Sequence, residues 1–433
     1  MSRFVSTRGG PPVPLEQVLF SGLAVDGGLY MPTSMPCLAG GPDSEEQDFQ
    51  VSAAWASSRI FSAQLEEKEA VKLALEVLNF PVPLVEVEPG IHVLELFHGP
   101  THAFKDVGAQ FMAALMQHIR LPGSDDHPTT ILVATSGDTG AAVARAFHGR
   151  SKTQVVVLFP QEGISAQQRR QMSTLGDNIL AIAVTGTFDD CQLLVKEAFA
   201  SGQLRDRYCL TSANSINLGR LLPQMFYYLH ASRLLGPSPV PFAVPSGNLG
   251  NLCAGLLAHI AGMPALGFLA AMNANDAFAR FLATGKLPEQ PSISTISSAM
   301  DVGRPSNLER MRWLFREKPE RLPQLVQGAS IDDSETRECI AEVYEKTGYV
   351  LDPHSAVAYR VAQQHHDLEA GPTVVLATAH PAKFPDVVEA AISGTVESPK
   401  ELRAVMEREE LFFEITPTLQ ELEALLDETV SHA

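Results

Sequence analysis

From about residue 128 onward, short apolar runs alternate with segments whose apolar residues recur at helical spacing. The apolar runs predict strands over 130–134, 155–159, 179–184, 240–244, 266–272 and 373–378. The intervening segments predict helices, among them 140–148, 188–200 and 251–261. Strands that alternate with helices are typical of βαβ units in a parallel sheet. Ligands of open α/β sheets bind at the carboxyl ends of the strands, so we expect functional residues in the turns that follow them.

The two ends of the chain depart from this alternation. Residues 1–90 are richer in Pro and Gly and then predict a helical stretch over 51–78, so we predict an appended N-terminal unit. From residue 397 the chain is acidic and predicts helix with a break at Pro417. The charge run there is typical of a solvated helix face.

Length and composition narrow the class of protein. At ~100–200 residues per domain, 433 residues predict about two to four units. A content of 45% hydrophobic and 19% charged residues excludes a mainly disordered chain. The formal charge of −18, without a basic patch, argues against a nucleic-acid partner. Five scattered cysteines indicate neither a disulfide framework nor a cysteine zinc site, which fits a reducing cytosol, so we expect a cytoplasmic protein.

One apolar stretch has the length of a membrane span. Residues 234–275 contain no Asp, Glu, Lys or Arg, and 252–272 match the ~20 residues that a spanning helix needs. Gly262, Pro264 and Gly267 interrupt this stretch. We therefore predict a buried strand, a helix and a second buried strand, and no membrane partner. The first residues of the chain lack the apolar core of a secretory signal.

The turn over 244–251, VPSGNLGN, is the first with recognisable chemistry. Gly247 and Gly250 allow close approach of the backbone to a ligand, and the following helix offers free N–H groups and the positive end of its dipole. An anion, most naturally a phosphate, suits this turn. The spacing matches neither a dinucleotide-binding fingerprint nor a P-loop, and an ordinary Gly/Asn turn remains the alternative.

The turn over 134–140, ATSGDTG, also joins a predicted strand to a helix. Its hydroxyls and helix N-terminal amides suit a substrate carboxylate. A helix cap by Asp138 or Thr139 without any ligand is the alternative.

Lys105 follows a stretch without formal charge, residues 96–104, and precedes an apolar helical run. Apolar surroundings lower the pKa of a lysine and suit it to Schiff-base chemistry, although a lone lysine is more often solvated. His98 and His102 have i, i+4 spacing, but the sequence offers no evident third ligand, so we predict no metal site.

Thr378 lies at the end of the last predicted strand, where a hydroxyl can hold a ring nitrogen or be merely structural. Taken together, a phosphate cradle, a buried amine, a carboxylate cradle and a strand-end hydroxyl are what pyridoxal phosphate needs to act on an amino acid.

Long strings of this sequence closely resemble the threonine synthase family. They are ELFHGPTHAFKDVGAQFM (95–112), ATSGDTGAAVA (134–144), SANSINLGRLLPQM (212–225), VPSGNLGNLCAG (244–255) and ATAHPAKFPD (377–386), with STRG (6–9), GLAVDGGLYMP (22–32) and SSAMDVGRPSNLERM (297–311). The matches keep the family's order over nearly the whole chain. The resemblance implies a fold-type II pyridoxal-phosphate enzyme: an α/β protein with two open, mostly parallel sheets flanked by helices and an appended N-terminal unit.

The resemblance also implies roles for individual residues. Lys105 matches the lysine that binds the cofactor covalently and serves as the catalytic acid and base, and Thr378 matches the residue bonded to the pyridine nitrogen. The loop that holds the cofactor phosphate matches Gly247, Asn248, Leu249, Gly250 and Asn251. The loop near the substrate carboxylate matches Thr135, Ser136, Asp138 and Thr139.

This chain departs from the family at two loop positions. The family more often has Phe in place of Leu249 and often has Asp in place of Asn251. Leucine is compatible with a contact made by the backbone N–H, whereas a side-chain role at position 251 stays open.

The implied reaction converts O-phospho-L-homoserine and water to L-threonine and phosphate, the last step of threonine biosynthesis. Candidates for holding the departing phosphate are Arg304, Asn307, Ser298, Asn214 and Asn217. The alternatives are a phospho-lyase or dehydratase of the same fold that releases a 2-oxoacid, and a non-catalytic homologue that binds the cofactor.

The resemblance implies three parts of the chain and a small set of partners. We predict an N-terminal extension over 1–90, a small α/β domain over 128–225, and a large cofactor-binding domain formed by 91–127 and 226–433. We expect a small-molecule substrate, no nucleic acid, no membrane and no metal, in a monomer or homodimer.

Overall fold

The structure, a computed structural model, describes residues 3–119, 128–365 and 371–430. Its strands are β1 Phe4–Ser6, β2 Gly9–Val13, β3 Tyr30–Pro32, β4 Leu84–Glu88, β5 Ile91–Glu95, β6 Thr129–Ala134, β7 Thr153–Pro160, β8 Ile179–Val184, β9 Leu210–Thr211, β10 Val240–Pro245, β11 Ala265–Met272, β12 Val326–Ser330, β13 Thr373–Ala377 and β14 Phe413–Ile415. Its helices are α1 Leu15–Ser21, α2 Phe49–Ile60, α3 Glu67–Val77, α4 Lys105–His118, α5 Asp138–Phe147, α6 Ala166–Ser173, α7 Phe188–Ala200, α8 Gly202–Arg207, α9 Leu218–Leu221, α10 Met225–Leu235, α11 Gly250–Ile260, α12 Ala277–Thr284, α13 Leu308–Leu314, α14 Arg321–Leu325, α15 Asp333–Thr347, α16 Pro353–His365, α17 Pro385–Ile392, α18 Lys400–Met406 and α19 Leu419–Thr429.

The larger sheet has the strand order β12-β11-β10-β13-β5-β4. All its neighbouring strands are parallel except β4, which runs antiparallel to β5 at the edge. Successive residues of β13 belong to different hydrophobic clusters: Val374 and Leu376 to one, Val375 and Ala377 to the other. Both faces of the sheet are therefore covered, which is why its central strands are continuous apolar runs in the sequence.

The second sheet has the order β14-β8-β7-β6-β9 and is parallel throughout. A third, antiparallel sheet, β2-β1-β3, lies in the N-terminal unit. The two parallel sheets with flanking helices and the N-terminal unit confirm the predicted fold class.

The elements predicted from periodicity occur within two residues of their predicted ends. The acidic C-terminal region is a correction: besides α18 and α19 it contains β14, which pairs with β8 of the second sheet. A three-residue strand is too short for a periodic pattern, and its partner strand decides that it forms.

The predicted three-part division of the chain stays a prediction. Strand β4, from the segment 1–90, is part of the larger sheet, and β14, from the segment 226–433, is part of the second. The predicted boundary after residue 127 borders residues 120–127, which lie outside the described residues. Within the described ranges, no helix is long and apolar enough to cross a membrane.

Candidate active site

A cavity at the carboxyl ends of the parallel strands brings together all four turns singled out in the sequence. Every residue predicted for the site lines it: Lys105, Thr135, Ser136, Asp138, Thr139, Gly247, Asn248, Leu249, Gly250, Asn251 and Thr378. The parallel direction of β6, β10 and β13 explains this convergence, because the turns that follow these strands lie at the same edge of their sheets.

Lys105 is the first residue of α4, and its side chain is 15% exposed. The chain before it is fixed against the turn after β13: the backbone N–H of Phe104 donates to the carbonyl oxygen of Thr378 at 2.9 Å, and Ala103 forms an antiparallel bridge with Ala379. These contacts hold the lysine beside the end of the last strand, although 273 positions separate Lys105 from Thr378 in the sequence.

Burial lowers the pKa of the Lys105 ammonium, as the sequence predicted for a lysine in apolar surroundings. The cations Lys383 and Arg220 lower that pKa further, and Asp138, whose Oδ2 lies 3.7 Å from the Lys105 Nζ, raises it. The net effect is a lowered pKa, so the amine is more readily available as a nucleophile and a base.

In the turn 134–140, the polar side chains divide into two groups. The Oγ1 of Thr135 accepts hydrogen bonds from the backbone N–H groups of Gly137 and Gly140, which fixes the turn itself. The Asp138 carboxylate accepts from Lys383 and Gln168. The hydroxyls of Ser136 and Thr139 line the cavity and, among the described residues, have no protein partner.

Asp138 therefore differs from what its place in the motif suggests. A carboxylate already held by Lys383 and facing Lys105 is poorly suited to contact another carboxylate directly, because like charges repel. Ser136 and Thr139 instead present to the cavity hydroxyl donors of the kind that bind a carboxylate.

The loop after β10 has the geometry of an anion site. Leu249 adopts the left-handed conformation, with φ 60° and ψ 10°, immediately before α11. In the described part of the chain, the backbone N–H groups of residues 247–250 donate to no protein acceptor. Free N–H groups at the start of an 11-residue helix provide both hydrogen bonds and a favourable dipole for an anion.

Side chains from two distant segments hold this loop in shape. The Nδ2 of Asn307 donates to the carbonyl oxygen of Asn248 at 2.9 Å and to the Oγ of Ser215 at 3.1 Å. The Nδ2 of Asn248 donates to the same Oγ at 2.9 Å. Because Ser215 Oγ accepts both bonds, its own proton remains for a ligand.

The glycines of the loop contact protein rather than open space. A Cβ on Gly247 would lie 2.8 Å from the Cα of Met300, and one on Gly250 would lie 3.1 Å from the Cβ of Ser215. The need for glycine at position 247 thus comes from the close approach of the chain at Met300.

Asn251 has a side-chain role that the sequence left open. Its Oδ1 accepts from the hydroxyls of Tyr227 at 2.7 Å and Tyr228 at 2.8 Å. Its Nδ2 is buried and has no partner in the described residues. An amide can serve both tyrosines as acceptor and still donate toward the cavity.

Thr378 follows β13 directly, and its backbone N–H donates to Ser355 Oγ at 3.1 Å. Ser355 Oγ in turn donates to the buried Asp352 carboxylate, whose other oxygen lies 2.8 Å from His354 Nδ1. This network fixes the backbone of Thr378 and leaves its hydroxyl on the cavity wall.

The sequence reasoning missed two buried cations near Lys105. Arg220 is 3% exposed, lines the cavity, and has an Nε without a partner in the described residues. Lys383 is fully buried and pairs with Asp138. Arg220 is the single charge in the apolar segment 216–229, and that isolation was the available indication.

Most of the residues predicted to hold the departing phosphate already make contacts with other protein groups. Asn217 caps α9 and donates to two carbonyl oxygens, and Asn307 supports the loop of Asn248. Asn214 lines the cavity, but its Nδ2 donates to a carbonyl oxygen. Arg304 lines the cavity and pairs with exposed Glu289. Ser298 is not among the residues of the cavity wall.

The unsatisfied groups of the cavity fit pyridoxal phosphate. Free amides at 247–250 suit its phosphate, the amine of Lys105 suits its aldehyde, and the Thr378 hydroxyl is available for its ring nitrogen. Asn251 Nδ2 and Arg220 Nε are buried donors that no protein group satisfies in the described residues, as expected where a polar ligand completes a site.

Comparison with known families agrees with this chemistry. Residues 78–379 match the model of pyridoxal-phosphate dependent enzymes. With two parallel sheets and a lysine-bearing cavity at their carboxyl ends, the chain is a fold-type II pyridoxal-phosphate-dependent enzyme. Residues 3–68 match the model of the threonine synthase N terminus, and residues 355–426 match that of the threonine synthase C-terminal region.

Similar proteins carry the same family name. Threonine synthase of Buchnera aphidicola (subsp. Acyrthosiphon pisum) is 41% identical over 421 residues, which are 96% of each chain. The crystal structure of Escherichia coli threonine synthase superposes with a TM-score of 0.90 at 38% identity and covers 99% of this chain and 100% of that one. The pyridoxal-phosphate-bound threonine synthase of Brucella melitensis also superposes with a TM-score of 0.90, at 34% identity with the same coverage. The chain belongs to the threonine synthase family.

Proposed function

We propose that the chain converts O-phospho-L-homoserine and water to L-threonine and inorganic phosphate. The observation that supports this reaction is the composition of the cavity wall. It brings Lys105 together with the backbone N–H groups of 247–250, the hydroxyls of Ser136 and Thr139, and the buried guanidinium of Arg220. A substrate with a carboxylate and a phosphate needs two such anion contacts in addition to the cofactor phosphate loop.

We assign the following roles to the residues of the cavity. The amides of 247–250, with Ser215 Oγ and Asn251 Nδ2, hold the cofactor phosphate, and Thr378 holds the ring nitrogen. Ser136 and Thr139 hold the substrate carboxylate, supported by the turn that Thr135 and Asp138 stabilise. This assignment retains each predicted site residue but gives Thr135 and Asp138 supporting roles.

Bound pyridoxal phosphate supplies the electron sink that acidifies the Cα–H and then the Cβ–H of the substrate. Lys105 removes the Cα proton, and its lowered pKa lets the same amine act as acid and base in turn. The Arg220 guanidinium compensates the charge of the phosphate as it leaves Cγ, because its buried Nε has no protein partner in the described part of the chain. A proton is then delivered to Cγ, water adds at Cβ, and a proton returns to Cα to complete threonine.

We also propose that the active protein is cytoplasmic and acts as a monomer or a homodimer on this small substrate. Two observations support this proposal: the relatives are named threonine synthases, and the free cysteines fit a reducing compartment.

The test is a product assay on the purified, cofactor-loaded chain given O-phospho-L-homoserine. We expect threonine and phosphate in equal amounts. Phosphate accompanied by 2-oxobutyrate instead of threonine would identify a phospho-lyase, and the absence of phosphate release would identify a non-catalytic homologue. Reaction in deuterated water, followed by mass spectrometry of threonine, shows in addition whether solvent protons enter Cα and Cγ.

A further inference from the structure

Two lysines and one carboxylate form a buried charged cluster in the wall of the cavity. Lys383 is 0% exposed and Asp138 is 3% exposed. The Nζ of Lys383 lies 2.6 Å from Asp138 Oδ1, and the Nζ of Lys105 lies 3.7 Å from Asp138 Oδ2. The carboxylate is therefore within hydrogen-bond distance of Lys383 and beyond it from Lys105.

We propose that Lys383 is a positioning residue whose buried ammonium makes the closer contact with the Asp138 carboxylate, so that this carboxylate is shared between two cations and favours the protonated form of Lys105 less than it would as a partner of Lys105 alone. The inference builds on the proposed function, because it concerns how the reactive lysine is kept available.

Protein contacts hold the buried Lys383 ammonium in a fixed position. Its Nζ donates to the carbonyl oxygen of Thr101 at 2.9 Å in addition to its contact with Asp138. Thr101 is itself fixed, because its backbone N–H and its hydroxyl donate to Asp106 at 2.9 and 2.7 Å. A buried charge persists only with such partners.

The Asp138 side chain is also held in position by protein contacts. Gln168 Nε2 donates to its Oδ1 at 2.9 Å, and the residue starts α5. Burial alone raises the pKa of the Asp138 carboxyl, but the ammonium groups of Lys383 and Lys105 outweigh burial and hold that pKa well below its usual range. The carboxylate is thus charged at any working pH and needs one cation permanently.

Two further charged groups near Lys105 also change its pKa. Arg220 lowers the pKa of Lys105, and Asp352 raises it. If Lys383 were absent, Lys105 would be the one cation within ion-pair distance of Asp138 among the described residues. That pairing would favour the protonated, unreactive form of Lys105.

The experiment measures the protonation of Lys105 without using activity. The full-length, cofactor-free chain is trace-labelled with acetic anhydride over a pH series, and labelling at each lysine is quantified by mass spectrometry. Exposed Lys68, whose side chain is 80% exposed, is the internal reference in every sample. In the parent chain, we expect Lys105 to react with a midpoint below that of Lys68.

Replacing Lys383→Met should raise the Lys105 midpoint by about one unit or more, a roughly tenfold loss of labelling near neutral pH. Lys383→Arg retains the positive charge and should return the midpoint toward that of the parent. Equal midpoints for parent and Lys383→Met, or equal effects of Met and Arg, would overturn the proposal.

A double-mutant cycle tests whether Lys383 acts through Asp138. Asp138→Asn should lower the Lys105 midpoint in the parent, where Asp138 raises the Lys105 pKa, and should lower it by a larger amount in the Lys383→Met background. Equal shifts in the two backgrounds would show direct repulsion only and overturn the proposal. If Lys383→Met fails to fold by circular dichroism, Lys383→Gln replaces it in the cycle with the same expected order of shifts. The readout is independent of turnover, so a wrong substrate assignment would leave these results unaffected.

Discussion

At the scale of single residues, Lys105 owes its reactivity to its neighbours rather than to its place in the sequence. Burial and two nearby cations lower the pKa of its ammonium, and the Asp138 carboxylate opposes them. Its backbone is fixed to Thr378 by the hydrogen bond from Phe104. The amine and the strand-end hydroxyl are therefore held in one place by local contacts.

Lys105→Ala should lower turnover of O-phospho-L-homoserine by about 10³-fold or more, since the cofactor anchor and the proton carrier are lost together. Cofactor bound through the loop 247–250 should remain detectable by its absorbance. Lys68→Ala, which removes an exposed lysine, is the matched control and should keep parental turnover. Activity above a few per cent in Lys105→Ala would transfer the role to another lysine.

Thr378→Asp should separate two steps of the reaction. A carboxylate at the ring nitrogen raises that nitrogen's pKa and strengthens electron withdrawal at Cα. Charge must still pass to Cβ before phosphate leaves Cγ, so we expect Cα–H exchange with deuterium to persist while phosphate release falls about 100-fold. Both rates are measured on one preparation, with Thr378→Ser as the variant that keeps the hydroxyl. A parallel fall of both rates would make Thr378 structural only.

At the scale of elements, the turn between β10 and α11 has the geometry of an anion site because three features coincide. Leu249 takes the left-handed conformation, the helix begins at Gly250, and Asn307 holds the carbonyl of Asn248. The backbone N–H groups are thereby directed away from protein acceptors in the described chain. The change from the family's frequent Phe to Leu at position 249 leaves these backbone N–H groups in place, because they do not depend on the side chain.

Gly247→Ala tests how closely the loop is packed. The added Cβ would lie 2.8 Å from the Cα of Met300, so the loop or the segment at 300 must move. We expect a destabilisation of about 1–3 kcal/mol and a cofactor Kd about tenfold or more weaker. Thermal melting of the apo form and cofactor titration measure the two effects. Gly202→Ala, where the nearest atom is 3.8 Å away, is the control, and equal results for both variants would contradict this packing.

At the scale of the whole molecule, the C-terminal segment is joined to the second sheet. Glu410 accepts from Arg169 Nε at 2.9 Å, from Arg169 Nη2 at 3.0 Å and from Ser173 Oγ at 2.8 Å. Beyond it, β14 extends the sheet at β8. A bidentate pair of this kind also fixes orientation, which a single contact does not.

Glu410→Gln should lower the free energy of unfolding by about 1 kcal/mol near neutral pH, since partly buried pairs that solvent still screens contribute modestly. The hydrogen bond from Arg169 is the main cause that lowers the pKa of Glu410 below its ordinary 4.5. That contribution is complete above pH 4.5 and is lost as the pH falls through the lowered pKa, so parent and variant should converge in acid. Urea unfolding of the parent and Glu410→Gln at several pH values measures the difference between their free energies of unfolding. Exposed Glu409→Gln is the control, and a difference that persists in acid would contradict the ion-pair origin.

Periodicity and motifs predicted strands β6, β7, β8, β10, β11 and β13 and the four turns that meet in the cavity, but not β4, β5, β9, β12 or β14 of the same two sheets. The prediction succeeded because buried strands such as β10 and β13 consist of continuous apolar residues, and such runs can be recognised in the sequence alone. The three-residue strand β14 escaped prediction, because it depends on the free edge of β8. Residue roles taken from the family resemblance stay predictions until the variants above are measured.

The sequence by itself determined the alternation of strands and helices, the family, and the turns that carry chemistry, since these depend on neighbours along the chain. Tertiary structure decided which charges meet and what each glycine contacts. The pairing of Asp138 with Lys383 and the contact of Gly247 with Met300 join distant segments, and Arg220 Nε is buried without a partner among the described residues. The electrostatic state of Lys105 follows from those contacts, because charge interactions depend on distance and burial in the folded chain.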